Sequence, residues 1–207
     1  MNDTRDRRFG LKPGSVINDG RGRLFIISAP SGSGKTTLCS AVLNRFQDML
    51  YSVSYTTRKP RNGEQSGIDY HFITKKDFKD KIKTGKWAEW AKVHGNYYGT
   101  SAELLDKGLD SGRDIILDID VQGTIRLLER YPESVTIFVM PPSIEELKRR
   151  LKLRNTDSSE IIARRLENAK IEMAKKELYL HVIINDQLPD AFEQLVAVIE
   201  NYRLNVQ

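Results

Sequence analysis

The sequence is poor in the residues that would make it a secreted, zinc-bound or membrane protein. It has one cysteine, three histidines and two tryptophans in 207 residues. A lone cysteine, Cys39, excludes an internal disulfide and suits a reducing compartment. Its simplest use is helix packing. No Cys/His set has zinc-ligand spacing, and no aromatic-basic signature of RNA binding occurs. No apolar run approaches the roughly 20 residues that span a bilayer. Residues 1–23 hold no apolar segment of the secretory type. Residues 1–22, rich in Arg, Asp and Gly, are expected to form a flexible extension. The expectation is a cytoplasmic protein with no membrane or nucleic-acid partner, as monomer or homodimer. What the chain has instead is charge: 33 Lys+Arg against 28 Asp+Glu, a net +5. That balance suits a protein that binds polyanionic small molecules.

The most informative stretch is Ala29-Pro30-Ser31-Gly32-Ser33-Gly34-Lys35-Thr36, with Thr37 following. An apolar run, residues 24–27, precedes it, and a helix-favouring segment follows from Thr36 to Phe46. Strand, glycine-rich turn, Lys-Thr and helix is the setting in which a phosphate-binding loop works. Backbone N–H groups of the turn and helix N-terminus converge on one anion, and the helix dipole favours negative charge there. Lys35 would reach the β- and γ-phosphates, and the Thr36 hydroxyl would sit on Mg2+. The pattern G-x-x-x-x-G-K-[ST] is met except at its first position, where Ala29 stands. The blander alternative is a Gly/Ser loop joining a strand to a helix.

Four apolar runs, residues 24–27, 115–117, 135–139 and 182–184, lack strict alternation, as strands covered on both faces do. Helical segments alternate with them. Ser143 to Glu146 reads as a capping box opening a helix toward Arg154. Ile162, Leu166, Ala169 and Met173 fall on one face of another, and Leu195, Val198 and Ile199 mark a C-terminal one. There is no internal repeat. The pattern predicts an α/β fold, a parallel sheet of the P-loop type flanked by helices. Residues 51–98 break the rhythm, being polar and rich in Tyr, Gly, Arg and Trp. Tyr70-His71-Phe72-Ile73 is β-like, and Thr74 to Asp77 caps a predicted helix running to about Thr84. This region reads as an inserted mixed β/α lobe beside the phosphate site.

Inside it, Ser54-Tyr55-Thr56-Thr57-Arg58-Lys59-Pro60-Arg61-Asn62-Gly63-Glu64 sets two arginines around a proline that stiffens the turn. Guanidinium forks match phosphate oxygens bidentately. Taken alone, the stretch also fits a solvated charge run. With the phosphate loop, Gly67-Ile68-Asp69-Tyr70-His71-Phe72, Glu89-Trp90-Ala91, Gly95-Asn96-Tyr97-Tyr98-Gly99-Thr100 and Leu117-Asp118-Ile119-Asp120-Val121-Gln122-Gly123, it resembles the guanylate kinase family. The resemblance runs from about Leu24 to the C-terminus, in order.

That resemblance implies MgATP-dependent phosphorylation of GMP, and of dGMP, to the diphosphate, with ATP and GMP as small-molecule partners. It implies a domain over 23–207: a core of 23–53 and 101–207, a GMP-binding lobe of 54–100 and a helical lid near 150–165. Ser54, Arg58, Arg61, Tyr70, Glu89, Tyr98 and Thr100 would form the GMP site, and Asp120 would help hold the guanine. The family often has Ser where Thr100 stands; the hydroxyl is retained. Chemistry supports guanine independently. Its N1–H and N2–H donors suit a carboxylate such as Glu89, while Ser54 or Thr100 can donate to O6; adenine offers an acceptor at N1 instead. Beside Trp87 and Trp90, Glu89 also fits a surface position.

Asp118 and Asp120 end an apolar strand, where a parallel sheet faces its ligand crevice. Asp118 would organise Mg2+ through its water shell. Arg150, Arg154 and Arg165 resemble the family's lid arginines, and Arg150 and Arg154 share one helix face. Arg149 and Arg164 read as solvated-face charges. Leu153 and Asn155 depart from a glycine-containing lid pattern. Asn185 resembles the residue beside the adenine. No base motif is visible and none is needed, since a nucleoside monophosphate is largely a dianion at neutral pH. Lys35, Arg150, Arg154, Arg165 and Mg2+ would neutralise the transferring group while lobe and lid close. Two other readings stand beside this one: an inactive scaffold module of the same fold that binds phosphopeptides, and a kinase for another nucleoside monophosphate.

Overall fold

Strand β1 (Leu24–Ser28) is buried at every position, and its alternate residues feed two separate cores. The computed structural model describes residues 20–93, 95–153 and 157–204. β1 leads through the glycine turn into α1 (Lys35–Arg45), followed by the two-residue strand β2 (Leu50–Tyr51). Next come β3 (Tyr55–Thr56), β4 (His71–Phe72), α2 (Lys75–Lys83), β5 (Trp87–Val93) and β6 (Asn96–Ser101). The chain then alternates through α3 (Ala102–Asp110), β7 (Ile115–Asp118), α4 (Val121–Arg130), β8 (Val135–Met140) and α5 (Ile144–Leu153). It ends with α6 (Ser159–Met173), β9 (His181–Ile184) and α7 (Leu188–Leu204).

Five strands form one parallel sheet in the order β2-β7-β1-β8-β9. Side chains alternate across it, as a period of two requires. Phe25 and Ile27 pack with Leu38 and Val42 of α1 and Leu195 and Ile199 of α7. Leu24 and Ile26 pack on the other face with Leu105 and Leu109 of α3 and Leu127 of α4. Cys39 is a buried member of the first core. The parallel α/β expectation holds, with three features added. β2 is too short to give a run in the sequence. α3 and α4 carry Gly108 and Gly123, which dilute their helical signal. β9 is an edge strand whose Val182 and Ile184 are exposed, so it is not covered on both faces.

The second sheet, β4-β3-β6-β5, is mixed: β3 pairs parallel to β4 and antiparallel to β6, and β5 is antiparallel to β6. α2 begins at Thr74, whose hydroxyl oxygen accepts from the Asp77 N–H at 3.1 Å. It is anchored by Phe78, fully buried, whose ring stacks on Trp87 at 4.3 Å and on Tyr97 at 5.2 Å. The Trp87 indole N–H donates to the Phe78 carbonyl at 3.3 Å. Residues 20–22, counted with the extension in the sequence, are tied down: the Gly22 N–H bonds the Leu109 carbonyl at 2.8 Å, and Arg21 pairs with Asp110 at 2.6 Å. Among the described residues no helix is long and apolar enough to cross a membrane.

Phe78 thus holds α2 and the hairpin β5–β6 together. Phe78→Ala should destabilise the fold by about 3–5 kcal/mol, through lost burial plus a residual cavity. Urea unfolding followed by tryptophan fluorescence measures this, since Trp87 sits on the ring; a change below about 1 kcal/mol would show that this packing is dispensable.

Candidate active site

The glycine turn is shaped to leave a helix end open. Gly32 and Gly34 sit at φ +99° and +89°, a left-handed conformation that residues with a Cβ rarely adopt. α2, α3, α4 and α6 are capped by the side chains of Thr74, Ser101, Asp120 and Ser158; α1 starts at Gly34 with no side-chain cap. Its first turn also carries no acidic residue. The first N–H groups of α1 therefore remain for an anion, with the helix dipole behind them. Ser31, Thr36 and Thr37 are exposed at this mouth, whereas Ala29 is half-buried and Pro30 and Ser33 are buried. Ser33 Oγ is buried without a hydrogen-bond partner, a polar atom that an oxyanion in the turn would satisfy.

Asn185 lies under this loop. Sequence resemblance puts it beside the adenine; in the structure it is 3% exposed, and its Nδ2 donates to the Ser33 carbonyl at 2.7 Å. A Cβ on Gly34 would fall 2.4 Å from that same Nδ2. The side chain is committed to bracing the turn from behind.

Lys35 projects across β1 to the next strand. The register sets Ile27 beside Asp118, so the lysine ammonium pairs with the Asp118 carboxylate and donates to the Ile119 carbonyl at 3.2 Å. Two residues on, Asp120 starts α4, its carboxylate accepting from the Gly123 N–H at 2.7 Å. Gly123 brings a third acid into the same place. A Cβ there would stand 3.3 Å from Glu89 Oε2 and 3.4 Å from Asp120 Oδ1. Glu89 is no surface residue: it is 8% exposed and accepts from the Thr100 hydroxyl at 2.7 Å. An irregularity in the β5–β6 ladder between Trp87 and Glu89 sets Glu89 directly opposite Thr100.

The second cluster gathers at the start of β3. Ser54, half-buried, accepts from the His71 N–H through its carbonyl at 2.9 Å. Arg58 forms a two-pronged pair with Glu64, at 2.9 and 2.8 Å, and lies over the Tyr70 ring at 5.4 Å. Tyr98 meets Tyr70 edge-on at 5.9 Å. Arg61 is exposed; its backbone N–H donates to Glu64 at 2.7 Å. The Arg58 guanidinium, joined by the Arg61 N–H, holds the Glu64 carboxyl down at about 2. On α5, Arg150 donates to Glu146 at 2.7 Å and to the Asp186 carbonyl at 3.1 Å. Arg165 pairs with Asp157 at 3.1 Å. Arg154 and Asn155 lie outside the described residues. Leu153 is exposed, and Arg149, also exposed, pairs with Glu146.

An uncapped helix end and a buried carboxylate–hydroxyl pair, joined by one strand end, invite comparison with known proteins. The guanylate kinase family model matches residues 21–202. The chain is 50% identical over 178 residues to a guanylate kinase of Syntrophotalea carbinolica, covering 86% of this chain and 85% of that one. It is 42% identical over 184 residues to one of Clostridium perfringens, covering 89% and 85%. The crystal structure of guanylate kinase from Anaplasma phagocytophilum superposes with a TM-score of 0.70 at 32% identity, over 88% of this chain and 87% of that one. The chain belongs to the guanylate kinase family.

Within this member of the family, the carboxylates that hold the cations are what the sequence leaves unassigned. Glu64 closes a turn three residues after Arg61, and Glu146 lies four before Arg150 on α5; both spacings are readable. The Ser143 cap is half a capping box: Ser143 Oγ accepts from the Glu146 N–H at 3.0 Å, while the Glu146 carboxylate goes to the arginines. Asp157 has no such local signal.

Burial pushes the Glu89 carboxyl up to about 7; the Thr100 hydrogen bond opposes this, the Asp120 charge adds to it, and Arg126 opposes it. From an ordinary 4.5, the folded state holds this proton more tightly than the unfolded chain. The associated stability is fully present below pH 4.5 and is lost as pH rises through about 7. The loss amounts to roughly 3 kcal/mol. Glu89→Gln, neutral at all pH, should therefore be more stable than the parent at pH 8, by roughly 1–3 kcal/mol, with the gain shrinking toward pH 5. Urea titrations at the two pH values test this; a gain independent of pH would mean that the buried charge is not its source.

Proposed function

We propose that this chain transfers the γ-phosphoryl group of ATP to the phosphate of GMP, and also of dGMP, giving ADP and the diphosphate. The observation that carries the reading is the continuity of β7 into α4. Asp118 stands beside the phosphate loop, and Asp120, two residues on, stands beside the buried Glu89–Thr100 pair. One strand end thus serves a polyphosphate cradle and a pocket able to take the two N–H donors of guanine.

In this reading the backbone of residues 29–37 wraps the ATP phosphates, with Lys35 on the β- and γ-oxygens. Ser54, Arg58, Arg61, Tyr70 and Tyr98 take the GMP phosphate. Glu89 and Asp120 accept from the guanine N–H groups, and Thr100 turns its single hydrogen from Glu89 to O6. Thr36, exposed on the first turn of α1, would give its hydroxyl to Mg2+, and Asp118 would hold the ion through its water shell. Bound there, the ion would neutralise charge across the β- and γ-phosphates. The acceptor phosphate needs no base, being largely a dianion at neutral pH. The protein's work is alignment and charge. Arg150, Arg154 and Arg165 approach the transferring group as the lid near 150–165 and the lobe of 54–100 close over the nucleotides, excluding water.

A coupled assay of ADP formation with GMP, AMP, CMP and UMP as acceptors tests the reading. GMP should be preferred by about 10⁴-fold or more, and Glu89→Gln should erode that preference by at least about 100-fold. Lys35→Met should lower kcat by about 10²–10³-fold, with the KM for GMP little changed. An unmodified chain that forms no GDP, or that takes AMP as readily as GMP, would overturn the assignment.

A further inference from the structure

Behind the two sites, three hydroxyl groups meet in the core. Thr124 of α4 is 2% exposed, Ser28 at the end of β1 is 0% and Tyr179 just before β9 is 7%. Thr124 Oγ1 lies 3.0 Å from the Asp120 carbonyl, 2.9 Å from Ser28 Oγ and 3.3 Å from the Tyr179 hydroxyl. A threonine hydroxyl has one hydrogen to give and two lone pairs to receive. The carbonyl can only accept, so Thr124 donates to Asp120 and receives from Ser28 and from Tyr179. All three of its valences are used, which fixes its rotamer and the directions of its partners.

Those partners are the roots of the two nucleotide sites. Ser28 is the residue immediately before the phosphate loop. Asp120 heads α4 and carries a carboxylate of the base pocket. Tyr179 leads into β9, beyond whose end Asn185 braces the loop at Ser33. We propose that Thr124 is a positioning residue that sets the spacing between the donor and acceptor sites. The inference rests on the functional reading above. Thr124 lies below both sites, so each nucleotide's own affinity is governed by groups that remain when its hydroxyl is removed. Transfer requires both nucleotides in line, and a shift of about 1 Å is enough to cost about 100-fold in rate.

Thr124→Val keeps the shape but removes the acceptor that Ser28 and Tyr179 share. Its kcat should fall by about 10-fold or more, while dissociation constants for ATP alone and GMP alone, measured by calorimetry, stay within about threefold. Thr124→Ser, which keeps the hydroxyl, should restore kcat to within about twofold. Tyr179→Phe, which removes one donor from the hub, should lower kcat by about threefold and carries the test if the valine variant does not fold. The proposal is overturned if kcat per folded molecule is unchanged in Thr124→Val, or in Tyr179→Phe where only that variant folds. It is also overturned if the separate affinities fall in parallel with kcat. Loss of the functional reading itself would show differently, as an unmodified chain inactive on ATP and GMP.

Discussion

The register of β1 against β7 is the constraint on which the site depends. Pairing Ile27 with Asp118 puts a carboxylate one strand away from the turn that follows Ser28. A slip of one residue would turn every side chain of β7 to the opposite face. Ile116 would leave the core it shares with α1 and α7, and Leu117 the one it shares with α3 and α4. Both faces of β7 are buried, so the register is specified twice over. Catalytic geometry is inherited from hydrophobic packing: Asp118 is where it is because three isoleucine and leucine residues before it have nowhere else to go.

That arrangement leaves the positive charges in an instructive state. Lys35, Arg58, Arg150 and Arg165 each face a carboxylate, from Asp118, Glu64, Glu146 and Asp157 respectively. Half-buried cations without partners would repel one another and lose solvation. The carboxylates remove that penalty and fix the guanidinium planes in advance. On the proposed reading, a phosphate would compete with a carboxylate for the same cation, bringing more charge and more acceptor oxygens. Binding would then be an exchange of partners, with a net gain smaller than the sum of the contacts formed. Arg61 differs from the others: its backbone serves the Glu64 turn while its side chain stands exposed at the mouth.

Much of this was legible in the sequence, for identifiable reasons. The phosphate loop is local, a strand, a turn and a helix within about twenty residues, so its motif carries its own context. The runs at 115–117 and 135–139 announced buried strands because both faces are covered. Glu89 was harder, since nothing within its own segment says that a ladder irregularity turns it against Thr100 and α4; the family resemblance named it, and the chemistry of guanine agreed. Asn185 shows the limit from the other side. Its motif placed it near the donor site, but only tertiary structure distinguishes a residue facing a base from one beneath the loop. The Ser28–Thr124–Tyr179 hub spans residues far apart in the chain, and no spacing rule reaches that far.

On the proposed reading, Glu89 also links selectivity for the base to stability. A carboxylate held in water would discriminate weakly between purines, because solvent would serve whichever edge was left unpaired. Burial, with the Asp120 charge adding to it, pushes Glu89 toward the neutral acid. On the proposed reading, a guanine edge would add two N–H donors to the Thr100 hydroxyl from which it already accepts, and so favour the ionised form. An adenine edge would bring an acceptor instead and leave the charge short of donors where that costs most. The same burial that weakens the empty fold above pH 7 therefore raises the penalty for the wrong base.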